Sequence, residues 1–254
     1  MRIVSLVPSW TETLLKAQIQ VVGRTRFCIH PAKQMTPIPI VGGTKEVSWD
    51  LVTDLKPDLV LFDKEENPLE MAEECPFPYM ATHVTCLESL QRELAFLGER
   101  FQNAYLMQKS VQCLDIVEAP DRQWDPSSIP GQLEWVNTLP RPTDRVQYVI
   151  WKKPWMAAGS KTYIGSVLKK LGAKVVDADD GEKYPVLEDL SDKSLADCLY
   201  LFSSEPFPFH KKIQELRALN IPGVVVDGEL YSWFGVRSLD FLSRELGLEV
   251  DINI

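Results

Sequence analysis

The chain has 254 residues, of which 45% are hydrophobic and 25% are charged, as in an ordinary globular protein. This length accommodates one large or two modest domains, either of which can bury a core. Lys and Arg number 27 against 36 Asp and Glu, so the formal net charge is -9. An acidic chain without a basic run is poorly suited to nucleic acid, which we exclude as a partner. No stretch approaches the ~20 consecutive apolar residues of a membrane-spanning helix, so we expect none.

The amino terminus and the cysteines bear on the compartment. The first eight residues contain one basic residue and a short apolar run, which fits a strand better than a signal peptide. We therefore expect a cytoplasmic protein if Met1 is the native start, and a periplasmic or surface-anchored one if a leader was removed. The five cysteines are dispersed and include no Cys-x-x-Cys pair, which argues against a disulfide framework.

The first half of the chain alternates short apolar strands with helices. Ser9, with Glu12 three residues later, has the spacing of a capping box and predicts the start of the first helix. The predicted strands are Ile3–Leu6, Val21–Val22, Leu59–Phe62 and Pro78–Ala81. The predicted helices are Leu51–Leu55, Glu70–Glu74, Leu87–Leu97 and Asn103–Val117, with a break around Gly98. Residues 120–142 contain five prolines and predict irregular structure, after which Val146–Trp151 opens a new strand.

The second half of the chain repeats the order of elements of the first half. The helix end Leu14–Lys16 is echoed by Leu168–Lys170. The strand Asp58–Phe62, which runs into acidic residues, is echoed by Asp197–Phe202. Because βα units resemble one another in any α/β protein, a match by chance stays open as the alternative.

Strands that alternate with helices predict parallel sheets, and two such halves in succession predict two α/β lobes. We place the first lobe at residues 1–84, a bridging helical and irregular segment at 85–143, and the second lobe at 144–254. In open parallel sheets, ligands bind beyond the carboxyl ends of the strands. We therefore expect the strand-end loops of the two lobes to line a cleft that clamps a small ligand without transforming it.

Several short segments, spread over both halves of the chain, together form a recognisable combination of motifs. In the first half they are Val4–Ser9 with Thr11 and Glu12, Val22–Thr25, Val41–Thr44 and Leu55–Val60, and in the second half Trp151–Lys161, Tyr184–Pro185 and Asp227–Arg237. The set resembles the class III periplasmic binding proteins, the helical-backbone receptors that deliver cobalamin, haem and ferric siderophores to ABC importers. The likeness is greatest to the cobalamin-type receptors and covers nearly the whole chain except about residues 119–143. It implies two Rossmann-like lobes with parallel sheets, bridged by one long helix that Asn103–Val117 supplies.

The resemblance also implies roles for particular residues. Lys45 and Asp63 stand where the related receptors carry tryptophans that stack on the ligand, and this departure leaves the ligand's identity open. Receptors of this family dock onto the importer through one acidic residue on each lobe. Asp50 or Glu46 matches that role on the first lobe. On the second lobe an apolar residue takes the counterpart position, and Asp189 beside it is the candidate.

Large aromatic and charged residues that follow predicted strands are the candidates for ligand contact, because the fold does not require them in strand-end loops. The aromatic candidates are Trp10, Phe27, Trp151, Trp155, Tyr184, Phe207, Trp233 and Phe234. The charged candidates are Arg26, Arg237 and Glu205, of which the arginines suit the carboxylates or phosphate of an anionic ligand. Rings that face one another across a cleft suit a flat macrocycle or an aromatic chelate. The plainer interpretation is that several of these rings close the core.

The segment Cys28-x-His30 is the arrangement that suggests a metal. With only three histidines in the chain, a dedicated metal site is not expected, but His30 could be an axial ligand to a metal already held in a chelate. The sequence contains no complete phosphate-binding loop, dinucleotide fingerprint or serine-hydrolase elbow.

The sequence therefore predicts a monomeric solute-binding protein that reversibly captures a cobalamin-like, haem or ferric-siderophore ligand. The candidate partner is an ABC importer permease, and no cofactor of the protein's own and no enzyme activity are expected. Two alternatives stay open. One is a two-lobed α/β enzyme that uses Cys28, His30 or Glu205, and the other is an interaction protein with this fold and no ligand.

Overall fold

The computed structural model describes residues 1–178, 181–188, 190 and 197–248. By their internal contacts, these residues divide into two units. Unit 1 consists of Met1–Asp115 together with Trp233–Leu239, and unit 2 consists of Ile116–Ser232 together with the chain from Asp240 onward. The division predicted at residues 84 and 143 differs from this one, because residues 85–115 belong to unit 1 and residues 116–143 belong to unit 2.

The strands of unit 1 form one parallel sheet. They are β1 (Ile3–Ser5), β2 (Val21–Thr25), β3 (Ile40–Gly42), β4 (Leu59–Asp63) and β5 (Tyr79–Thr82). Their order in the sheet is β3-β2-β1-β4-β5. Every residue of β1 and β4 is buried, as expected for central strands of a parallel sheet that is covered on both faces.

The first half of the chain also contains six helices in its described residues. They are α1 (Pro8–Lys16), α2 (Ala32–Met35), α3 (Trp49–Leu55), α4 (Leu69–Glu73), α5 (Leu87–Phe101) and α6 (Ala104–Glu118). Helix α6 carries the chain from unit 1 into unit 2 after Asp115. The long helix that the resemblance implied is therefore present at the expected place.

Unit 2 is built on a mixed sheet. Its strands are β6 (Gln132–Asn137), β7 (Arg145–Trp151), β8 (Trp155–Ala158), β9 (Lys174–Val175), β10 (Val186–Leu187), β11 (Leu199–Ser203) and β12 (Gly223–Val226). Their order is β10-β8-β7-β11-β12-β6, with β9 paired to the start of β7. Strands β7, β9, β11 and β12 are parallel, whereas β6, β8 and β10 pair antiparallel. The parallel sheet expected for the second half is thus present as a parallel centre, to which antiparallel strands are added.

The helices of the second half are α7 (Tyr163–Lys170), α8 (Ile213–Arg217), α9 (Gly228–Ser232) and α10 (Val236–Glu245), with a 3-10 helix at Phe209–Lys212. Helix α10 begins in unit 1 and ends in unit 2. Within the described ranges, no helix combines the length and the apolarity needed to cross a bilayer.

The repeated element order of the sequence corresponds to a repeated sheet topology. In unit 1, β1 lies between β2 and β4, and β5 follows β4. In unit 2, β7 lies between β9 and β11, and β12 follows β11, again with parallel pairing. The two halves therefore share four strands in the same order and direction.

Each unit has its own hydrophobic core packed against its sheet. The core cluster of unit 1 contains Val4, Leu6, Val41, Val52, Val60, Phe62, Met71 and Ala72. The core cluster of unit 2 contains Val136, Val149, Leu190, Tyr200, Phe202, Phe209, Leu216, Ile221 and Val225. Full burial of one such large apolar side chain contributes roughly 1.5–3 kcal/mol, so these clusters hold the strands that position the loops at their ends.

The start of α1 differs from the prediction. The helix begins at Pro8, its N-cap is Val7, and no side chain caps it. Ser9 lies inside the helix, where its carbonyl accepts a hydrogen bond of 2.9 Å from Thr13 Oγ1. The predicted capping box is therefore wrong, because the fixed φ of Pro8 starts the helix two residues earlier, with Val7 and not Ser9 as the N-cap.

Two further predictions are corrected. Helix α5 continues through Gly98, where a break was expected. A Cβ at Gly98 would lie 2.6 Å from Met107 Sδ, so the glycine serves the close approach of α6 and does not end the helix. The proline-rich segment 120–142, expected to be irregular, contains strand β6, which pairs antiparallel with β12.

Candidate functional site

The loops that follow the strands of unit 1 are joined at the carboxyl edge of its sheet. The backbone N–H of Arg26, after β2, donates to the carbonyl of Gly42 at the end of β3, at 2.8 Å. The side-chain amide of Asn67, after β4, donates to the carbonyls of Leu6 at 3.1 Å and Thr44 at 2.9 Å. Asn67 was not among the residues predicted for the site, although a polar residue shortly after a buried strand is a signal for such a role. These bonds fix the loops that carry the ligand candidates, at the edge where parallel sheets bind ligands.

Phe27 and Arg26 lie on this edge and reach solvent. The Phe27 ring is 50% exposed, and Arg26 Cζ lies 5.8 Å from its centroid. Arg26 Nη1 also pairs with Glu46 Oε1 at 2.6 Å. Both partners of this pair are more than half exposed, so the pair adds little stability and leaves both groups accessible. An aromatic face and a cation are thus presented side by side.

Both acidic residues predicted to contact an importer from the first lobe lie at the surface of unit 1. Glu46 is exposed but shared with Arg26, and Asp50 is exposed in the first turn of α3. Asp189 lies outside the described residues. Their role in docking stays a prediction.

Trp233, which belongs to unit 1, contacts an imidazole and a cation of the same unit. Its ring centroid lies 5.3 Å from that of His30, edge to face, and Arg237 Cζ lies 5.4 Å from the Trp233 ring. The guanidinium of Arg237 forks onto Glu12, with Nε and Nη2 each 3.0 Å from a carboxylate oxygen. The expectation that this fork meets an anionic ligand is corrected, because Glu12 already occupies it. Arg237 is a positioning residue for Trp233.

The segment that carries Trp233 is anchored to α1. The backbone N–H of Val236 donates to Thr13 Oγ1 at 3.3 Å. Gly235 packs directly on Thr13 with φ +90, a left-handed conformation that favours glycine.

Trp10 and Phe234 are core residues of unit 1. Trp10 is fully buried and Phe234 is 5% exposed, and their rings meet edge to face with centroids 5.2 Å apart. The indole N–H of Trp10 donates to Thr82 Oγ1 at 2.8 Å, so its one polar atom is satisfied inside the unit. Their assignment to a ligand surface is wrong, and the plainer interpretation as packing residues applies.

Cys28 and His30 do not form a common metal site. The Cys28 thiol is fully buried and lies 3.1 Å from Thr11 Oγ1 and 3.2 Å from Thr25 Oγ1. Burial raises the pKa of this thiol above its usual range, so the nucleophilic thiolate is disfavoured. His30 is half-exposed and faces Trp233 instead. Among the described residues, no group of three or more His, Cys, Asp or Glu is arranged to hold a metal ion.

Asp63 is a buried carboxylate at the end of β4, with no solvent exposure. It accepts hydrogen bonds from Thr82 Oγ1 at 2.7 Å, the Glu65 N–H at 2.9 Å and the Val84 N–H at 3.1 Å. Burial nevertheless raises its pKa above the usual Asp range, with the three hydrogen bonds acting in the opposite direction. Asp63 therefore cannot stand in for a ligand-stacking tryptophan. Lys45, which is exposed and donates to the Glu66 carbonyl at 2.5 Å, remains at the surface of this edge.

Unit 2 presents its own aromatic group at the end of β7 and after β11. Trp151 is 40% exposed, and its ring meets that of Phe207 edge to face with centroids 5.6 Å apart. Phe207 in turn packs on the buried Phe209, with ring centroids 4.6 Å apart. The inner ring belongs to the core cluster of unit 2, so it anchors the two outer rings at the strand ends.

Trp155 and Tyr184 differ from Trp151 in their surroundings. Trp155 is half-buried and stacks on Phe209 with centroids 6.0 Å apart. Lys152 Nζ lies 5.4 Å from the Trp155 ring and pairs with Glu215 at 2.6 Å. One face of the Trp155 ring therefore packs on the core of unit 2. Tyr184, just before β10, is 38% exposed and reaches solvent.

Glu205 is exposed after β11, where it was expected. Partial burial, and then the nearby Glu229 and Asp227 carboxylates, raise its pKa above the usual Glu range. Asp227 and Glu229 follow β12, so the carboxyl ends of two adjacent parallel strands bring three acids together. The edge of unit 2 thus combines exposed rings with negative charge, whereas the edge of unit 1 combines them with the cations Arg26 and Lys45.

The family model described as "Periplasmic binding protein" matches residues 3–197. A search of curated protein sequences gives no match. The periplasmic vitamin B12 binding protein BtuF of Vibrio cholerae is 17% identical, with a TM-score of 0.66 over 97% of this chain and 95% of that one. IsdE of S. aureus, complexed with heme, is 15% identical, with a TM-score of 0.69 over 97% of both chains.

An ABC transporter substrate-binding protein from Listeria monocytogenes EGD-e is also similar, with 17% identity and a TM-score of 0.69 over 98% of both chains. At such identities these likenesses establish a shared fold. The family model matches well over half of the 254 residues. On that match, the chain belongs to the periplasmic binding protein family.

Proposed function

We propose that this protein captures a metal chelate reversibly, namely a corrinoid, a haem or a ferric siderophore, and delivers it to an ABC importer. The observation that carries the proposal is the presence of large, exposed aromatic rings at the carboxyl ends of the strands of both units. Phe27 is 50% exposed and Trp151 is 40% exposed, although rings of this size are usually buried for packing. Family membership and the names of similar proteins, which bind vitamin B12 or heme, support the same class of ligand.

The mechanism rests on dispersion and placed charge. A flat macrocycle offers a large apolar face, and contact with an exposed ring, Phe27 of unit 1 or Trp151 of unit 2, removes that face and the ring from water. Arg26 and Lys45 supply donors for anionic substituents of the ligand, and Glu205 supplies an acceptor for amide or hydroxyl substituents. His30 is the candidate for an axial contact to a metal that the chelate itself holds. Each of these contacts is non-covalent, so release requires no chemical step.

An enzyme is the weaker proposal. Its candidate nucleophile, Cys28, is fully buried, hydrogen-bonded to two threonines and shifted towards the neutral thiol. A neutral thiol without solvent access reacts poorly. Since periplasmic binding proteins capture substrates without transforming them, we propose that this chain has no catalytic role.

The experiment is a ligand panel with the full chain. Cyanocobalamin, hemin, a ferric hydroxamate and a ferric catecholate are titrated by absorbance and calorimetry. We expect one ligand class to bind at a single site and to be recovered unchanged. At 100 times its Kd this ligand should raise the free energy of unfolding by about 2.7 kcal/mol, visible as a higher melting temperature. No binding across the panel would refute the proposal and favour an interaction protein, and chemical turnover of a ligand would favour an enzyme.

A further inference from the structure

Arg24, one residue before the end of β2, binds four backbone carbonyls of the chain that follows it. Its Nη1 donates to the carbonyls of Thr25 at 3.2 Å and Cys28 at 3.1 Å. Its Nε donates to the carbonyls of Met35 at 3.2 Å and Ile38 at 3.1 Å. The side chain is half-buried, and no carboxylate of the described residues pairs with it. The guanidinium is therefore held by backbone carbonyls.

Two of these carbonyls belong to the tight turn that carries Phe27. The N–H of Cys28 donates to the carbonyl of Thr25 at 3.2 Å, so residues 25–28 form a four-residue turn with Phe27 in third place. The Phe27 N–H donates to Thr25 Oγ1, also at 3.2 Å. Because Nη1 of Arg24 bonds to both the first and the last residue of the turn, it fixes the direction in which the turn leaves β2.

The other two carbonyls lie at the far end of the loop between β2 and β3. Met35 is the last residue of α2, and Ile38 lies two residues before β3. The Ile38 N–H donates to the Met35 carbonyl at 3.0 Å, so the two bonds from Arg24 Nε meet a segment that is itself closed. One side chain therefore holds both ends of the segment that contains His30.

The Phe27 ring depends on this backbone support. Half of the ring is exposed to solvent, so packing holds only part of it. An exposed contact group binds tightly when it is already ordered before the ligand arrives, because less conformational entropy is then lost on binding. The buried thiol of Cys28 anchors one end of the turn, whereas Arg24 anchors both ends.

We propose that Arg24 is the positioning residue for the ligand edge of unit 1. Its guanidinium fixes the turn at residues 25–28, so that the Phe27 ring is presented to the chelate in one orientation. This role rests on the proposed function, because Arg24 acts through Phe27 and makes no ligand contact of its own. A lysine is a weaker substitute, since an ammonium is a single point charge and lacks the fixed, forked N–H directions of a guanidinium.

Hydrogen exchange of the ligand-free full chain tests the positioning itself. In Arg24→Met, the N–H groups of Phe27 and Cys28 should exchange at least about tenfold faster, the factor for losing one hydrogen bond from a charged donor. Arg2→Met is the matched control, because Arg2 also donates to two backbone carbonyls in unit 1, at the carboxyl end of α3. It should leave the exchange of both N–H groups unchanged.

Circular dichroism verifies that the variants fold. Arg24→Lys takes the place of Arg24→Met if the latter does not fold, and it should accelerate the same two N–H groups. Wild-type exchange in the Arg24 variant, or equal acceleration in the Arg2 variant, would overturn the proposal.

Titration of the chelate identified in the ligand panel tests whether Arg24 acts through Phe27. Arg24→Met should raise Kd about tenfold, but by less than about threefold when Phe27 is already Ala, because the ring that it positions is absent. If Arg24 only stabilised unit 1, the factor would be the same in both backgrounds, and that result would contradict the proposal. Absence of binding to the wild type would refute the proposed function, whereas unchanged exchange would refute only the role of Arg24.

Discussion

Lys170 at the end of α7 should contribute strongly to the stability of unit 2, and we expect Lys170→Met to lower the free energy of unfolding by about 2 kcal/mol. The residue is only 8% exposed. Its Nζ donates to the carbonyls of Val117 at 3.1 Å and Ala119 at 2.8 Å, and it lies 3.0 Å from Asp121 Oδ1. The ammonium thus satisfies the carbonyl end of α6, where a positive charge also suits the helix dipole.

The magnitude follows from these contacts. A hydrogen bond from a charged donor is worth about 1.5–3 kcal/mol, and Met removes two such bonds to backbone carbonyls. The ion pair with Asp121 adds little, since the Asp121 side chain is 45% exposed. Part of the loss is offset, because Met no longer requires the desolvation of a buried ammonium. Met has a similar length, so no large cavity enters the balance.

Urea denaturation followed by circular dichroism measures the change, with Lys169→Met as the matched control. Lys169 is the preceding residue of the same helix but is exposed, so its replacement should shift stability by less than about 0.5 kcal/mol. Hydrogen exchange at residues 117–121 should accelerate in Lys170→Met only. The reasoning is refuted if Lys170→Met unfolds at the wild-type urea concentration, or if both variants lose the same stability.

Two more predictions concern the edge of unit 1. Phe27→Ala should raise the Kd of the chelate identified in the panel by up to about 60-fold. The ring has a surface of roughly 200 Å², of which half is exposed and available to the ligand. Loss of that contact area, at about 25 cal/mol per Å², costs about 2.5 kcal/mol of binding free energy. In the same titration Phe96→Ala, which removes an equally exposed ring from α5, should leave Kd unchanged, and equal losses would contradict the assignment. Burial raises the pKa of Asp63, so the folded protein binds a proton there more readily than the unfolded chain does. The contribution of Asp63 to the free energy of unfolding should therefore increase as pH falls from about 7 towards the usual Asp pKa of about 3.9. Urea midpoints between about pH 7 and pH 4 should show this contribution in wild type and not in Asp63→Asn, and parallel profiles would rule it out.

The central strands were predictable because the sequence carries their burial directly. β1 and β4 are uninterrupted apolar runs, as two-sided burial requires. Strand β3 was missed because it has three residues and its first, Ile40, is 48% exposed at the sheet edge. Strand β6 was missed because prolines flank it, and its pairing with β12 joins segments far apart in the sequence.

The positions of the candidate site were predictable, but the burial of its residues was not. Aromatic residues after strands do lie at the strand ends, as Phe27 and Trp151 show. Whether such a ring is exposed depends on distant partners that local patterns do not encode. Trp10 is covered by Phe234, and the Arg237 fork is filled by Glu12, 225 residues away in the sequence. The sequence indicated where the rings lie, and tertiary contacts decide which of them remain available.

The return of Trp233–Leu239 to unit 1 has a consequence for dissecting this protein. A fragment that ends at residue 115 lacks the ring that packs on His30, the ring that covers Trp10 and the N–H that bonds Thr13. Cutting the chain at a single point therefore leaves unit 1 with uncovered apolar surface, whichever linker is chosen for the cut. An intact, isolated unit 1 requires that residues 233–239 be grafted back, for example by a short flexible connection after residue 115.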